Sequence, residues 1–261
     1  YNDYFCNQLT ELLTNYGEIF EVWFDGAKGK DAAAFEYDWK RYYELIHKLQ
    51  PKANIAICGP DIRWVGNEGG KCRKNEYSVV AQSLTMCETV EKNSQQSEGQ
   101  ATSLQKFDSR DEDLGSRQAL KNAEELCWYP AEVDVSIRPG WFYHEEENDK
   151  VRSFENLKEI YLKSVGGNCT LLLNIPPDTD GLIREEDRRS LFMLGDFIWE
   201  SFGRNLAEEA VLTVKPEKDR DGKDGSVLLK KGEETWFGNP DGLRELEVEF
   251  TWACLLYTSP S

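Results

Sequence analysis

Four short apolar runs, each cut off by a turn and interleaved with helical stretches, constrain this chain's fold more than anything else in it. Ile19–Phe24 ends at Asp25-Gly26, Ala53–Cys58 at Gly59-Pro60, Val133–Ile137 at Pro139-Gly140, and Thr170–Ile175 at Pro176-Pro177. Helical spacing of apolar residues predicts helices over 4–16, 35–49, 153–165 and 184–203. Strands this short and apolar, alternating with helices, argue for an α/β fold with a parallel sheet or barrel. The chemistry-bearing residues follow the C-terminal ends of the strands, where a (β/α)8 barrel carries its active site. After about Asn205 the helices stop. Val211–Val214, Val227–Lys230 and Leu246–Phe250 read as strands, so a β-rich second domain is expected there. The polar segment from about Lys92 to Arg117 reads as a surface loop without chemistry.

Charge narrows the possible partners. A net charge of −17 repels nucleic-acid phosphates and anionic lipid surfaces. No run of about 18 uninterrupted apolar residues is present, so no membrane span is expected. Seven cysteines show no C-x-x-C pair and no regular spacing, which predicts buried thiols rather than a zinc site or disulfide framework. With His47 and His144 the only histidines, a His-based metal cluster is not expected.

Three motifs carry candidate chemistry. In Glu21–Ala27 a carboxylate, Asp25, follows a hydrophobic strand and precedes Gly26. That placement suits a rigidly held nucleophile, and it also suits an ordinary turn. Gly59–Gly70 is glycine-rich and holds Asp61, Arg63, Trp64 and Glu68; it lacks a phosphate-loop pattern and could equally be a decorated surface loop. Cys127–His144 clusters Trp128, Tyr129, Trp141, Phe142 and Tyr143 with Glu132 and His144 around a strand end. A sugar platform and a core strand with a polar exit both fit it.

Together the wordings W-F-D-G-A, P-D-x-R-W-V-G-N-E-x-G and P-A-E-V-D-V-S-I-R-P-G-W-F-Y-H resemble glycoside hydrolase family 29, the α-L-fucosidases. The motifs S-V-G-G-N at 164–168 and L-L-L-N-I-P-P-D at 171–178 follow in the same order, so the resemblance covers about residues 1–203. W-V-G-N-E is similar to the subfamily selective for α-1,3/1,4-linked fucose. The resemblance implies a retaining exo-α-L-fucosidase acting on Lewis-type glycans, with Asp25 as nucleophile and Glu68 as general acid/base. Trp141, Arg63 and Trp64 would line the fucose site, and Glu132 and His144 would bind a sugar hydroxyl or brace the loop. Retention of configuration asks for carboxyl groups roughly 5–5.5 Å apart and for no metal or organic cofactor. The alternatives are a glycosidase using Glu132 in place of Glu68, and a catalytically silent fucose- or glycan-binding protein on the same fold.

The resemblance also implies a domain plan. Residues 1–203 would be the C-terminal half of a (β/α)8 barrel, and 204–253 the start of a β-sandwich. Residues 254–261 resemble translated sequencing-adaptor read-through and are expected to lie outside the fold. A chain beginning midway through a barrel would expose sheet edges and is expected to be inactive by itself. Bacterial origin and action outside the cytoplasm are expected on the resemblance alone.

Overall fold

The computed structural model describes residues 1–25, 36–86, 111–215, 222–229 and 247–251. Gly26 and Ala27 of the first motif, most of the polar 92–117 segment and the 254–261 tail lie outside the described residues. The chain forms two compact units, 1–194 and 195–261.

In the first unit, helices α1 (Asn2–Asn15) and α2 (Trp39–Leu49) flank strand β1 (Glu21–Phe24) in sequence, and β2 (Asn54–Ile57) follows. Asp38 caps α2 by accepting from the Arg41 N–H at 3.3 Å, which starts the helix four residues later than apolar spacing suggests. Leu9 and Leu13 from α1, Tyr42 and Ile46 from α2, Phe24 from β1 and Ile55 from β2 form one buried cluster. Phe24 faces this core, so Trp23 and Asp25 on either side of it face the other way, as the two-residue period of a strand requires.

β1 and β2 pair in parallel, Glu21 opposite Asn54 and Phe24 opposite Ile57. Beyond Ile57 the chain folds back within five residues to start β3 (Arg63–Trp64), and Ala56 bridges Ile62 in parallel. That turn is tight. A Cβ at Gly59 would sit 2.3 Å from the Ile55 carbonyl oxygen, and Ile57 is held at a φ of 67° that β-branched residues avoid. β3 pairs in parallel with β6 (Ala131–Ser136), and β6 with β7 (Cys169–Asn174). Helix α3 (Phe154–Ser164), capped by Ser153, lies between β6 and β7 in sequence, and α4 (Glu185–Phe202) follows β7.

Two features depart from the sequence expectation. Between β3 and β6 the chain inserts an antiparallel pair, β4 (Val79–Ala81) with β5 (Leu126–Trp128), each too short to show a period. In the second unit β8 (Val211–Lys215) and β9 (Glu247–Thr251) pair antiparallel, whereas Val227–Leu229, expected as strand, belongs to a 3-10 helix over Gly225–Leu229. Asp224 accepts from the Ser226 N–H at 2.8 Å and turns the backbone out of the extended state.

Candidate active site

β6 is the centre of the site because it is buried along its whole length. Ala131 and Val133 pack with Val65 and Cys169 on one face. Glu132, Asp134 and Ser136 therefore occupy the other, and all three are buried. Two carboxyls inside a sheet are costly unless something holds them. Here indoles do so: Trp23 Nε1 donates to Glu132 Oε1 at 2.8 Å, and Trp64 Nε1 donates to Asp134 Oδ1 at 2.7 Å. The two tryptophans come from different strands, β1 and β3, and the two acids from alternate positions of one strand.

Burial raises the Glu132 carboxyl to about 7, helped by the nearby charges of Glu21 and Asp134 and opposed by the Trp23 hydrogen bond. Glu21 is hydrogen-bonded to Glu132, and its own carboxyl is raised, chiefly by burial. Asp134 is also raised, first by burial and then, against the Trp64 hydrogen bond, by the negative charges of Glu68 and Asp25. Asp25 and Glu68, distant in sequence and both exposed, thus stand in the field of one buried aspartate.

The loop carrying Glu68 is fixed from several sides. Val65 N–H donates to the Glu132 carbonyl at 2.9 Å, Gly69 N–H to Asn67 Oδ1 at 2.9 Å, and Asn67 Nδ2 to the Lys71 carbonyl at 3.2 Å. Gly70 sits at φ 71° with Ile160 of α3 so close that a Cβ would meet it at 2.9 Å. Only glycine fits that approach.

Trp141 lies on the turn after β6, 38% exposed. Asn174 Nδ2 donates to the Trp141 carbonyl at 3.1 Å and to Ser136 Oγ at 3.0 Å, while Ser136 Oγ donates to the Gly140 carbonyl at 2.7 Å. The turn is thereby tied to the ends of β6 and β7. His144 is exposed, and its carbonyl accepts from Arg138 Nη1 at 3.4 Å.

Arg63, expected to line the sugar site, and Glu132, expected to bind a sugar hydroxyl or brace the loop, are both buried. Arg63 is 2% exposed and points away from solvent into an ion pair with Glu76, with further bonds to the Tyr129 carbonyl at 3.1 Å and the Tyr77 carbonyl at 2.9 Å. Glu132 is 1% exposed and committed to Trp23 and Glu21. Both hold the site together from beneath. Glu21 and Asp134 were not singled out from sequence. Alternation of acid and valine along Glu132–Ser136 was the available signal, and it reads equally as a solvent-facing strand edge.

One described group has donor atoms close enough to suggest a cation site. The Cys72 and Cys169 sulfurs and a Glu76 oxygen lie within 4.8 Å of one another. Glu76 already faces Arg63 and Arg73, and burial raises both thiols. The two guanidiniums already neutralise Glu76 and would repel a divalent ion, so the donor set does not suit one.

With this geometry in view, similarity to known proteins becomes interpretable. The α-L-fucosidase family model matches residues 1–201. α-L-Fucosidase 1 of Arabidopsis thaliana is 40% identical over 211 residues, which is 80% of this chain and 37% of that protein. The chain thus spans just over a third of the length of this curated relative. A glycoside hydrolase family 29 member from an unknown rumen bacterium is 37% identical, with a TM-score of 0.60 over 82% of this chain and 36% of its own. A family 29 fucosidase of Ruminococcus gnavus, solved with fucose, is 29% identical, with a TM-score of 0.65 over 91% of this chain and 46% of its own. The parallel strands, the acids at their ends and this similarity along 1–201 agree: the chain belongs to the α-L-fucosidase family.

Proposed function

We propose that the complete gene product is a retaining exo-α-L-fucosidase that removes α-1,3/1,4-linked fucose from branched, Lewis-type glycans. The observation that carries this reading is that Asp25 follows the parallel strand β1 and Glu68 the parallel strand β3, with the charges of both acting on the buried Asp134 carboxyl. A glycosidase of this type needs two carboxyl groups on one site, one ionised and one able to give up a proton. Asp25 attacks the anomeric carbon through an oxocarbenium-like transition state while Glu68 protonates the leaving glycosidic oxygen. Glu68 then takes the proton of the water that opens the fucosyl-enzyme intermediate, and the anomeric configuration is retained.

Trp141 offers an exposed aromatic face on a braced turn, suited to the apolar side of a deoxy sugar. Trp64, partly buried against Ala56, Ile57 and Ile62, forms a second wall. His144 stands at the rim, while Arg63 and Glu132 support the site rather than line it. In this reading the parallel strands are the C-terminal half of a (β/α)8 barrel, and β8 and β9 open a β-sandwich.

The test is fucose release from a Lewis-a trisaccharide and from 2′-fucosyllactose by the complete gene product, beside its Asp25→Ala variant. Release from the branched substrate alone, lost by several orders of magnitude in the variant, is the expected result. Equal release from both substrates would remove the linkage preference. Release that survives Asp25→Ala would remove the nucleophile.

A further inference from the structure

The carboxyls of β6 divide into two layers, and only the lower one is self-contained. Glu132 has Glu21 and Trp23. Asp134 has one side-chain donor, the Trp64 indole, and among the described residues no cation pairs with it. Among the described residues, the other strongly buried carboxylates of the first unit meet guanidiniums: Glu76 meets Arg63 and Arg73, and Asp187 meets Arg138. An aspartate that is 6% exposed, with one neutral donor, destabilises the fold compared with an apolar residue of similar volume. The charges of the two acids assigned above to the reaction act on it.

We propose that Asp134 is a positioning residue of this site, acting through the Trp64 indole that it holds in place. By accepting from Trp64 Nε1 it sets the angle of a wall whose opposite side rests on Ala56, Ile57 and Ile62. The inference rests on the fucosidase reading, and the groups in play come from each neighbouring element. They are Asp25 at the end of β1, Trp64 and Glu68 on and after β3, and Glu132 two residues back on β6; the partner of Asp134 on β7 is the uncharged Leu172.

Asp134→Asn keeps an acceptor for the indole, whereas Asp134→Leu does not. In the complete gene product, Asp134→Leu should raise KM on Lewis-a trisaccharide several-fold with kcat little changed, and Asp134→Asn should keep KM near that of the unaltered protein. A purely structural role would lower kcat alike in both variants, and that result, or an unchanged KM in Asp134→Leu, overturns the proposal. A second readout needs no turnover. The difference in tryptophan fluorescence between the unaltered protein and Trp64→Phe should titrate above the ordinary aspartate range and lose that transition in Asp134→Asn. Absence of the transition in the unaltered protein also overturns the proposal. Absence of fucose release with the transition intact would instead overturn the fucosidase reading and leave the Asp134–Trp64 coupling standing.

Discussion

Carboxylates are buried in two different ways in this molecule, and the difference separates bracing from chemistry. At Glu76 and Asp187 the chain supplies guanidiniums. Burial alone would raise the Glu76 carboxyl, yet Arg63 and Arg73 outweigh it and the carboxyl is lowered. At Glu132 and Asp134 the chain supplies indole N–H groups in place of guanidiniums, with Glu21 also bonded to Glu132, and both carboxyls are raised. A guanidinium locks a carboxylate into its ionised form and removes it from proton chemistry. An indole orients the group and leaves its proton negotiable. The arginines therefore mark where the fold is held, and the tryptophans mark the buried carboxyls whose protonation still answers to pH.

The strongest way to break this comparison is to remove a cation. Arg138 and Asp187 form a bidentate pair at 2.9 and 2.5 Å with both side chains inaccessible to solvent. Arg138→Ala strands Asp187 as an uncompensated buried charge and should reduce unfolding free energy by about 3–5 kcal/mol. Urea unfolding of the complete gene product measures it. A loss below about 1 kcal/mol would mean that water reaches Asp187 and that the pair is no brace.

The indole-held acids should respond to pH instead. Glu132 is raised to about 7 from an ordinary value of 4.5, so the folded state binds its proton more tightly than the unfolded chain does. That contribution to stability is fully present below the ordinary value and is lost as pH rises through about 7. Glu132→Gln keeps an acceptor for Trp23 without a group to ionise. Its Tm should therefore fall less than that of the unaltered protein between pH 5 and 8, by on the order of a few degrees. Parallel curves would show that Glu132 is ionised throughout and that the contrast with Glu76 is one of geometry only.

Much of this was legible before any coordinates. β1, β2, β6 and β7 are apolar runs ended by Gly, Pro or Asp, and the structure places each within two residues of the expected bounds. Asp25 and Glu68 were visible because each follows a short strand within a distinctive motif. The direction of the buried polar side chains was not legible. Arg63 stands beside Trp64 in the same motif, and only the two-residue period of β3 sends one into an ion pair and the other towards Asp134. Glu21 and Asp134 gain their meaning from strands far along the chain, and no local pattern encodes that pairing. The β4–β5 pair stayed hidden for a similar reason, since three-residue strands carry no readable period.

The smallest expected effect comes from the second unit, where the same chemical pair sits in water. Lys215 Nζ and Glu247 Oε2 lie 3.1 Å apart across the β8–β9 register, with side chains 67% and 62% exposed. Solvent screens their attraction, and holding two long side chains in one geometry costs entropy, so the two effects nearly cancel. Lys215→Ala should change stability by about 0.5 kcal/mol or less, and salt near 1 M should erase even that. The register is set by the backbone ladder from Val211↔Thr251 to Lys215↔Glu247, which the substitution leaves in place. Thermal unfolding with and without added salt decides the point. A salt-sensitive loss of several degrees would mean that this exposed pair works like Arg138 and Asp187, and burial would no longer be what distinguishes a brace from a surface contact.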